Sequence, residues 1–173
     1  MDSNKENIVI VDMDIARKEG EKRQNVHTHN STPRFYKNDP ALEDTLGVMA
    51  EIAFAKWSNL NPDLSEKIHG DGCKDFEFQI KNRVLTIDIK AARKPFNLLL
   101  KEQDAKRSAD ILVLCGIDEN AVKFMGWEHK SIMLIMPKKD FGYGYINYYR
   151  HSSQLRPMGQ LKNLLEMANN GLK

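Results

Sequence analysis

Two neighbouring segments, Asp75-Phe-Glu-Phe-Gln-Ile80 and Val84-Leu-Thr-Ile-Asp-Ile-Lys90, alternate apolar and polar residues one by one. A period of two is the mark of half-buried strands, and the short gap between the segments makes them a hairpin. Phe76, Phe78 and Ile80 share one face of the first strand, and Leu85, Ile87 and Ile89 share one face of the second. Matching those faces sets the register, because a slip of one residue turns every side chain over. A two-residue turn at Lys81-Asn82 brings Phe78 to Leu85, Phe76 to Ile87 and Asp75 to Asp88. A four-residue turn instead brings Asp75 to Lys90. In both cases Asp75, Asp88 and Lys90 project from the same face. Directly opposed carboxylates destabilise a sheet unless positive charge sits between them. A divalent cation would supply it, since hard cations favour carboxylate oxygens. Taken alone, Asp88-x-Lys90 is more simply an exposed polar face.

A second carboxylate stands in an unusual place. Leu46-Gly-Val-Met-Ala-Glu51-Ile-Ala-Phe-Ala55 is apolar apart from Glu51. Helix signals precede it: Asp39 can cap, Pro40 suits the first turn, and Glu43 and Asp44 complement the helix dipole. At 3.6 residues per turn Leu46, Met49, Ala50, Ala53, Phe54 and Trp57 form one broad face, and Val48, Ile52 and Ala55 cover much of the rest. The helix is therefore expected to be buried nearly all round. An unpartnered carboxylate there costs on the order of 3 kcal/mol or more. A partner arginine, a path to water and a functional role are all open for Glu51.

The constellation is more specific than its parts. Gly70-Asp71-Gly72-Cys73-Lys74-Asp75 reads as a tight loop delivering Asp75 into its strand. A helix carrying Glu51, then Gly-Asp-Gly-x-x-Asp75, then Asp88-x-Lys90 resembles the PD-(D/E)XK nuclease superfamily, most like its small single-domain phage members. Ala109-Asp-Ile-Leu-Val-Leu114 and Lys123-Phe-Met-Gly-Trp127 resemble the strands that follow, although no proline precedes Asp75. The resemblance implies an α/β, restriction-endonuclease-like fold: a mixed β-sheet of about five strands flanked by helices. It implies a metal-dependent nuclease acting on DNA, with Glu51, Asp75, Asp88 and Lys90 catalytic. Mg²⁺ or Mn²⁺ would be held by Asp75, Asp88, the carbonyl of Ile89 and Glu51, with Asp71 the rival to Asp75. Lys74, Arg93 and Lys94 are the candidates for phosphate contact. The alternative is a catalytically idle protein of the same fold that binds nucleic acid or a protein partner.

The 173 residues suffice for one domain with a hydrophobic core. No stretch approaches the ~20 apolar residues of a membrane span, and the start Met-Asp-Ser-Asn-Lys-Glu-Asn is unlike a signal peptide. Cys73 and Cys115 are too few for a disulfide framework and lack a metal-ligand spacing. These features fit a reducing, intracellular setting, the bacterial host cytoplasm if the chain is phage-encoded. Net charge is only +2, but its distribution is uneven. Residues 40–80 hold eight acids against three bases, and residues 81–107 hold eight bases against three acids. Acids that could hold a metal followed by bases that could hold a phosphate backbone suit phosphodiester chemistry. On charge alone an ordinary solvated face explains the same numbers. A homodimer is required only if the substrate is a branched junction, and no motif fixes the oligomeric state.

Residues 1–38 read as a polar, partly irregular extension before a nuclease-like domain at 39–173. Ile8-Val9-Ile10-Val11 is a short strand or the lead-in to a helix through Met13 to Arg23, with a loop from Gln24 to Asn38. His27 and His29 fall in that stretch without supporting acids or cysteines. Lys94-Pro95-Phe96-Asn97 breaks regularity and is expected to border a lid or substrate loop. Asp110 to Ile117 suits a central strand covered on both sides, with Ala121 to Trp127 its neighbour across Asp118-Glu119-Asn120. Tyr143, Tyr145, Tyr148 and Tyr149 suit base stacking or, more commonly, edge-strand packing. A last helix to Asn169 turns Leu161, Leu164, Leu165 and Ala168 inward.

Overall fold

Phe76 pairs with Ile87, Phe78 with Leu85 and Ile80 with Arg83, so the hairpin takes the two-residue turn at Lys81-Asn82. Lys81 adopts φ +52°, the left-handed conformation such a tight reversal demands. The structure, a computed structural model, describes residues 7–27, 40–61, 74–142 and 144–170. In chain order the elements are β1 (Ile8–Ile10), α1 (Met13–His27), α2 (Pro40–Ser58), β2 (Phe76–Ile80), β3 (Arg83–Ala92) and β4 (Asn97–Lys101). They continue with β5 (Ile111–Asp118), β6 (Ala121–His129), α3 (Lys130–Met133), β7 (Lys138–Asp140), β8 (Ile146–His151) and α4 (Met158–Asn170).

Five strands form a mixed sheet in the order β1-β6-β5-β3-β2. Only β3 and β5 run parallel; the other pairs are antiparallel. The expected α/β architecture, a mixed sheet of about five strands flanked by helices, is the one observed. β5 is its centre, buried from Ile111 to Ile117, as an almost wholly apolar run requires. Asp110 ties β5 to β3: its carboxylate accepts from the Thr86 amide at 3.0 Å and the Thr86 hydroxyl at 2.9 Å. One face of the sheet packs on α2 and α4. There Met49, Ala53 and Phe54 meet Phe76, Ile87, Ile89, Val113 and Cys115, with Met158, Leu161 and Leu165 completing the core.

The first strand and helix, read from sequence as an extension, are built into this domain. β1 closes the sheet against β6, and Val11 and Ala16 belong to the main core. α1 continues to His27, so Gln24 to His27 are helical rather than loop. It lies so close to α2 that a Cβ on Gly20 would stand 2.7 Å from the Thr45 hydroxyl.

The other face carries a second sheet, ordered β4-β8-β7. Leu98 and Leu100 of β4 pack on Leu112 and Leu114 of β5, with Met133 between the layers. The break at Lys94–Asn97, expected to border a lid, is the crossing from β3 into this sheet. Among the described residues no helix is long and apolar enough to cross a membrane.

Candidate functional site

Asp88 and Lys90 leave β3 on the face that β4 covers further along the sheet. Their partners on β5 are Leu112 and Leu114, the residues beneath Leu98 and Leu100. The small sheet thus stands beside the two polar groups as a wall. Asp88 is 4% exposed. Its Oδ2 lies 2.6 Å from the Lys90 ammonium, an ion pair off the line of a hydrogen bond, and the Lys90 side chain reaches solvent.

Asp75 behaves differently from the reading that sets it on the same face as Asp88. Its amide donates to the Ile87 carbonyl at 2.8 Å, which continues the β2–β3 ladder by one residue. Its carboxylate then accepts from the Ile89 amide at 2.6 Å. A side-chain oxygen thus takes the place of the next backbone partner, and the Asp75 carboxylate lies in the plane of the ladder. From there it senses both faces. Glu51, buried on α2 at 7% exposure, approaches from the helix side, and Asp88 from the side of the small sheet.

Electrostatics follow from that crowding. Burial first, then the charges of Asp88 and Glu51, push the Asp75 carboxyl well above the ordinary carboxylate range. The Ile89 amide and Lys90 pull it back only in part. Asp75 as a residue is half-buried, but its carboxyl end is the enclosed part. Cys115, fully buried on β5, has its thiol pushed far up by burial and by the charge of Asp75. It is an inert core residue.

Three carboxylates and one lysine therefore converge where β2 meets β3, as the residue order led one to expect. As they stand, no three acid, histidine or cysteine side chains among the described residues enclose an ion. Asp75 is turned to the Ile89 amide and Asp88 to Lys90. Donor chemistry fits a hard divalent cation: carboxylate oxygens with an excess of negative charge, one of them held by burial in an unfavourable ionic state. No family, curated protein or solved structure matches this chain.

Of the phosphate-contact candidates, Lys74, Arg93 and Lys94 are all exposed, Lys74 just before Asp75 and the other two just after β3. Asp71, Cys73, His29 and Tyr143 lie outside the described residues. Tyr145, Tyr148 and Tyr149 are engaged in and beside the small sheet. Lys101 sits 4.6 Å over the Tyr145 ring, Lys138 4.8 Å over Tyr148, and Tyr149 meets Phe141 edge-on at 5.3 Å. Their rings are packing surfaces more than stacking platforms.

Sequence reasoning missed Glu128. It is 1% exposed on β6, and its two oxygens take Arg150 at 2.7 Å and Arg156 at 2.9 Å. The trio ties the main sheet to β8 and to the segment entering α4. A lone acid between Trp127 and His129 was a signal of the kind Glu51 gave, but partners more than twenty residues away are not readable from spacing.

Proposed function

We propose that the protein is a metal-dependent deoxyribonuclease, with Glu51, Asp75, Asp88 and Lys90 as its catalytic group. The observation that carries this reading is the crowding of the buried Asp88 and Glu51 about the Asp75 carboxylate, which the Ile89 amide and Lys90 offset in part. Burying carboxylates together costs several kcal/mol per charge, and a divalent cation would offset that cost.

Asp75 and Asp88 are the principal ligands, with the Ile89 carbonyl and Glu51 completing the set. When bound, Mg²⁺ or Mn²⁺ would lower the pKa of a water and offset charge on the phosphate. Lys90, reaching from its buried partner into solvent, orients the attacking water and balances the developing phosphoryl charge. Asp88 holds Lys90 in place for that task. The water oxygen bonds to phosphorus as the bond to the leaving 3′ oxygen breaks, and the products are a 5′ phosphate and a 3′ hydroxyl. Arg93, Lys94 and Lys74 hold the flanking phosphates.

Purified protein incubated with linear duplex, single-stranded, circular and four-way-junction DNA, in Mg²⁺, Mn²⁺ or EDTA, tests this. Cleavage of at least one form in metal and of none in EDTA is the expected result, and a junction preference would require two copies acting together. Tight DNA binding with no cleavage of any form would replace this reading with that of a non-cutting binder.

A further inference from the structure

A notch opens on the free edge of β6, across the sheet from the acids. Its volume is about 600 Å³, within the roughly 300–1,000 Å³ of small-ligand sites. It lies at Phe124 and Met125, between the last β1 pair at Ile8–Lys123 and the bridge of Trp127 to Arg156.

Two kinds of wall meet there. Trp57, Phe124 and Met158 form the apolar one. The Trp57 ring packs at 5.5 Å from both Phe54 and Phe124, which fixes it, yet the residue stays half-exposed. Lys123, Lys162 and Ser152 form the polar wall. Both lysines are exposed, and neither is paired with an acid among the described residues. No acid lines the notch among those residues either. A fixed indole beside two exposed ammonium groups suits a ligand with a flat ring at one end and an anion at the other. A nucleoside phosphate has that form: bases stack on aromatic rings, and lysine serves phosphate as a point charge.

The position of the notch connects it to the candidate site. Ala92, two residues past Lys90, is level with Gly116 on β5, and Gly116 is level with Lys123 on β6. Strands lie about 4.8 Å apart, so β3 and β6 are separated by about 10 Å there. The crossing from β3 to β4 passes over β5, the strand between β3 and β6. Its Pro95 sits so close that a Cβ on Gly116 would meet it at 2.8 Å, and it brings the exposed Arg93 and Lys94 to this end of the sheet. Lys90, Arg93, Lys94 and Lys123 thus lie toward the same end of the sheet.

We propose that this notch is a nucleoside-phosphate subsite, occupied by a nucleotide of the strand whose scissile phosphate lies at Lys90. Identification of the occupant as part of a strand rests on the phosphodiesterase reading; the notch itself does not. Binding measured in EDTA separates the two, since it needs no catalysis. A fluorescently labelled single-stranded oligodeoxynucleotide is titrated into the wild type, Lys123→Gln, Lys162→Gln and the double variant, over a range of salt. The lysines are exposed, so melting temperatures should not move. The double variant is expected to bind at least about tenfold more weakly, and the slope of log K against log salt to shrink by about 0.7 per lysine. Deoxyadenosine monophosphate is the second probe. If it binds as tightly as the oligonucleotide with the same lysine dependence, the ligand is a free nucleotide and the strand assignment falls. Equal affinity and equal salt slope for wild type and double variant would overturn the subsite, whatever the cleavage assay shows.

Discussion

The carboxylate of Asp75 accepts a 2.6 Å hydrogen bond from the amide of Ile89, so a side chain stands in for a strand at the open edge of β3. That one contact places a carboxylate between the two faces of the sheet. Glu51 then reaches it from α2 and Asp88 from the opposite face. Charge repulsion at this point is the physical root of the site, because it makes a cation the most effective way to relieve the burial.

Asp75→Asn should therefore stabilise the metal-free protein. The amide keeps an oxygen for the Ile89 donor and removes one of three crowded charges. A gain on the order of 1 kcal/mol is expected from easing buried charge, or about 2–4 °C in Tm for a chain of this size. The sign of the pH dependence is also fixed. The folded-state pKa of Asp75 is raised, so the folded chain holds a proton that the unfolded chain has released. In EDTA its contribution to stability is fully present below the unfolded value of about 3.9 and is lost as pH rises through the raised folded value. Melts from pH 4 upward should show this decline in wild type and a flatter profile in Asp75→Asn. Identical profiles would show that Asp75 is not crowded.

Divalent cations should raise the Tm of the wild type. Stabilisation follows RT ln(1 + [M]/Kd), about 2.7 kcal/mol at a hundredfold excess over Kd. Asp88→Ala and Asp75→Asn should lose most of that rise. Scanning calorimetry in Mn²⁺ against EDTA decides it, and an equal rise in all three proteins would place the metal elsewhere.

The hairpin was readable because its apolar and polar residues alternate, Val84 beside Leu85 being the one break, and α2 because its apolar positions recur at helical spacing around one acid. The small second sheet was not. Asn97-Leu-Leu-Leu-Lys101 lacks alternation, with Leu98 and Leu100 buried and Leu99 half-buried, and β7 is three charged residues, Lys138-Lys-Asp140. Such strands are defined by what they pair with, and the pairing of β4 with β8, 46 to 54 residues away, leaves no local trace. The identity of the four candidate residues was likewise readable from order and spacing. How Asp75 meets Asp88 was not, because a side chain replacing a backbone partner breaks the alternation rule that predicts faces.

Glu128→Gln should be among the most damaging single changes away from the site. It strands Arg150, whose side chain is 22% exposed, without its counter-charge. Breaking a buried pair by removing one partner costs about 3–5 kcal/mol. A fall in Tm of roughly 6–20 °C is expected at 2–4 °C per kcal/mol. A shift under 2 °C would mean that the trio is a solvated surface cluster.

Gly20→Ala tests the docking of α1 on α2. Its Cβ would stand 2.7 Å from the Thr45 hydroxyl and 2.9 Å from the Thr45 Cα, so the helices must part. Overpacking of this kind costs about 1–3 kcal/mol, more than the gain in helix propensity from Gly to Ala, about 1 kcal/mol. Denaturant unfolding should show net destabilisation. A more stable variant would mean that the two helices are not held at this distance.

Hydrolysis of DNA by wild type, Lys90→Ala and Asp88→Ala, side by side in Mg²⁺ and in EDTA, goes most directly to whether these residues cut phosphodiester bonds. Lys90→Ala removes one partner of the buried Asp88, so a cooperative melt of each variant is required before its cleavage is scored. The expected result is wild-type cleavage in Mg²⁺ leaving 5′ phosphates, none in EDTA, and a loss of at least about a hundredfold in each variant. Cleavage that survives both substitutions, or a wild type that cuts nothing in any metal, contradicts the assignment.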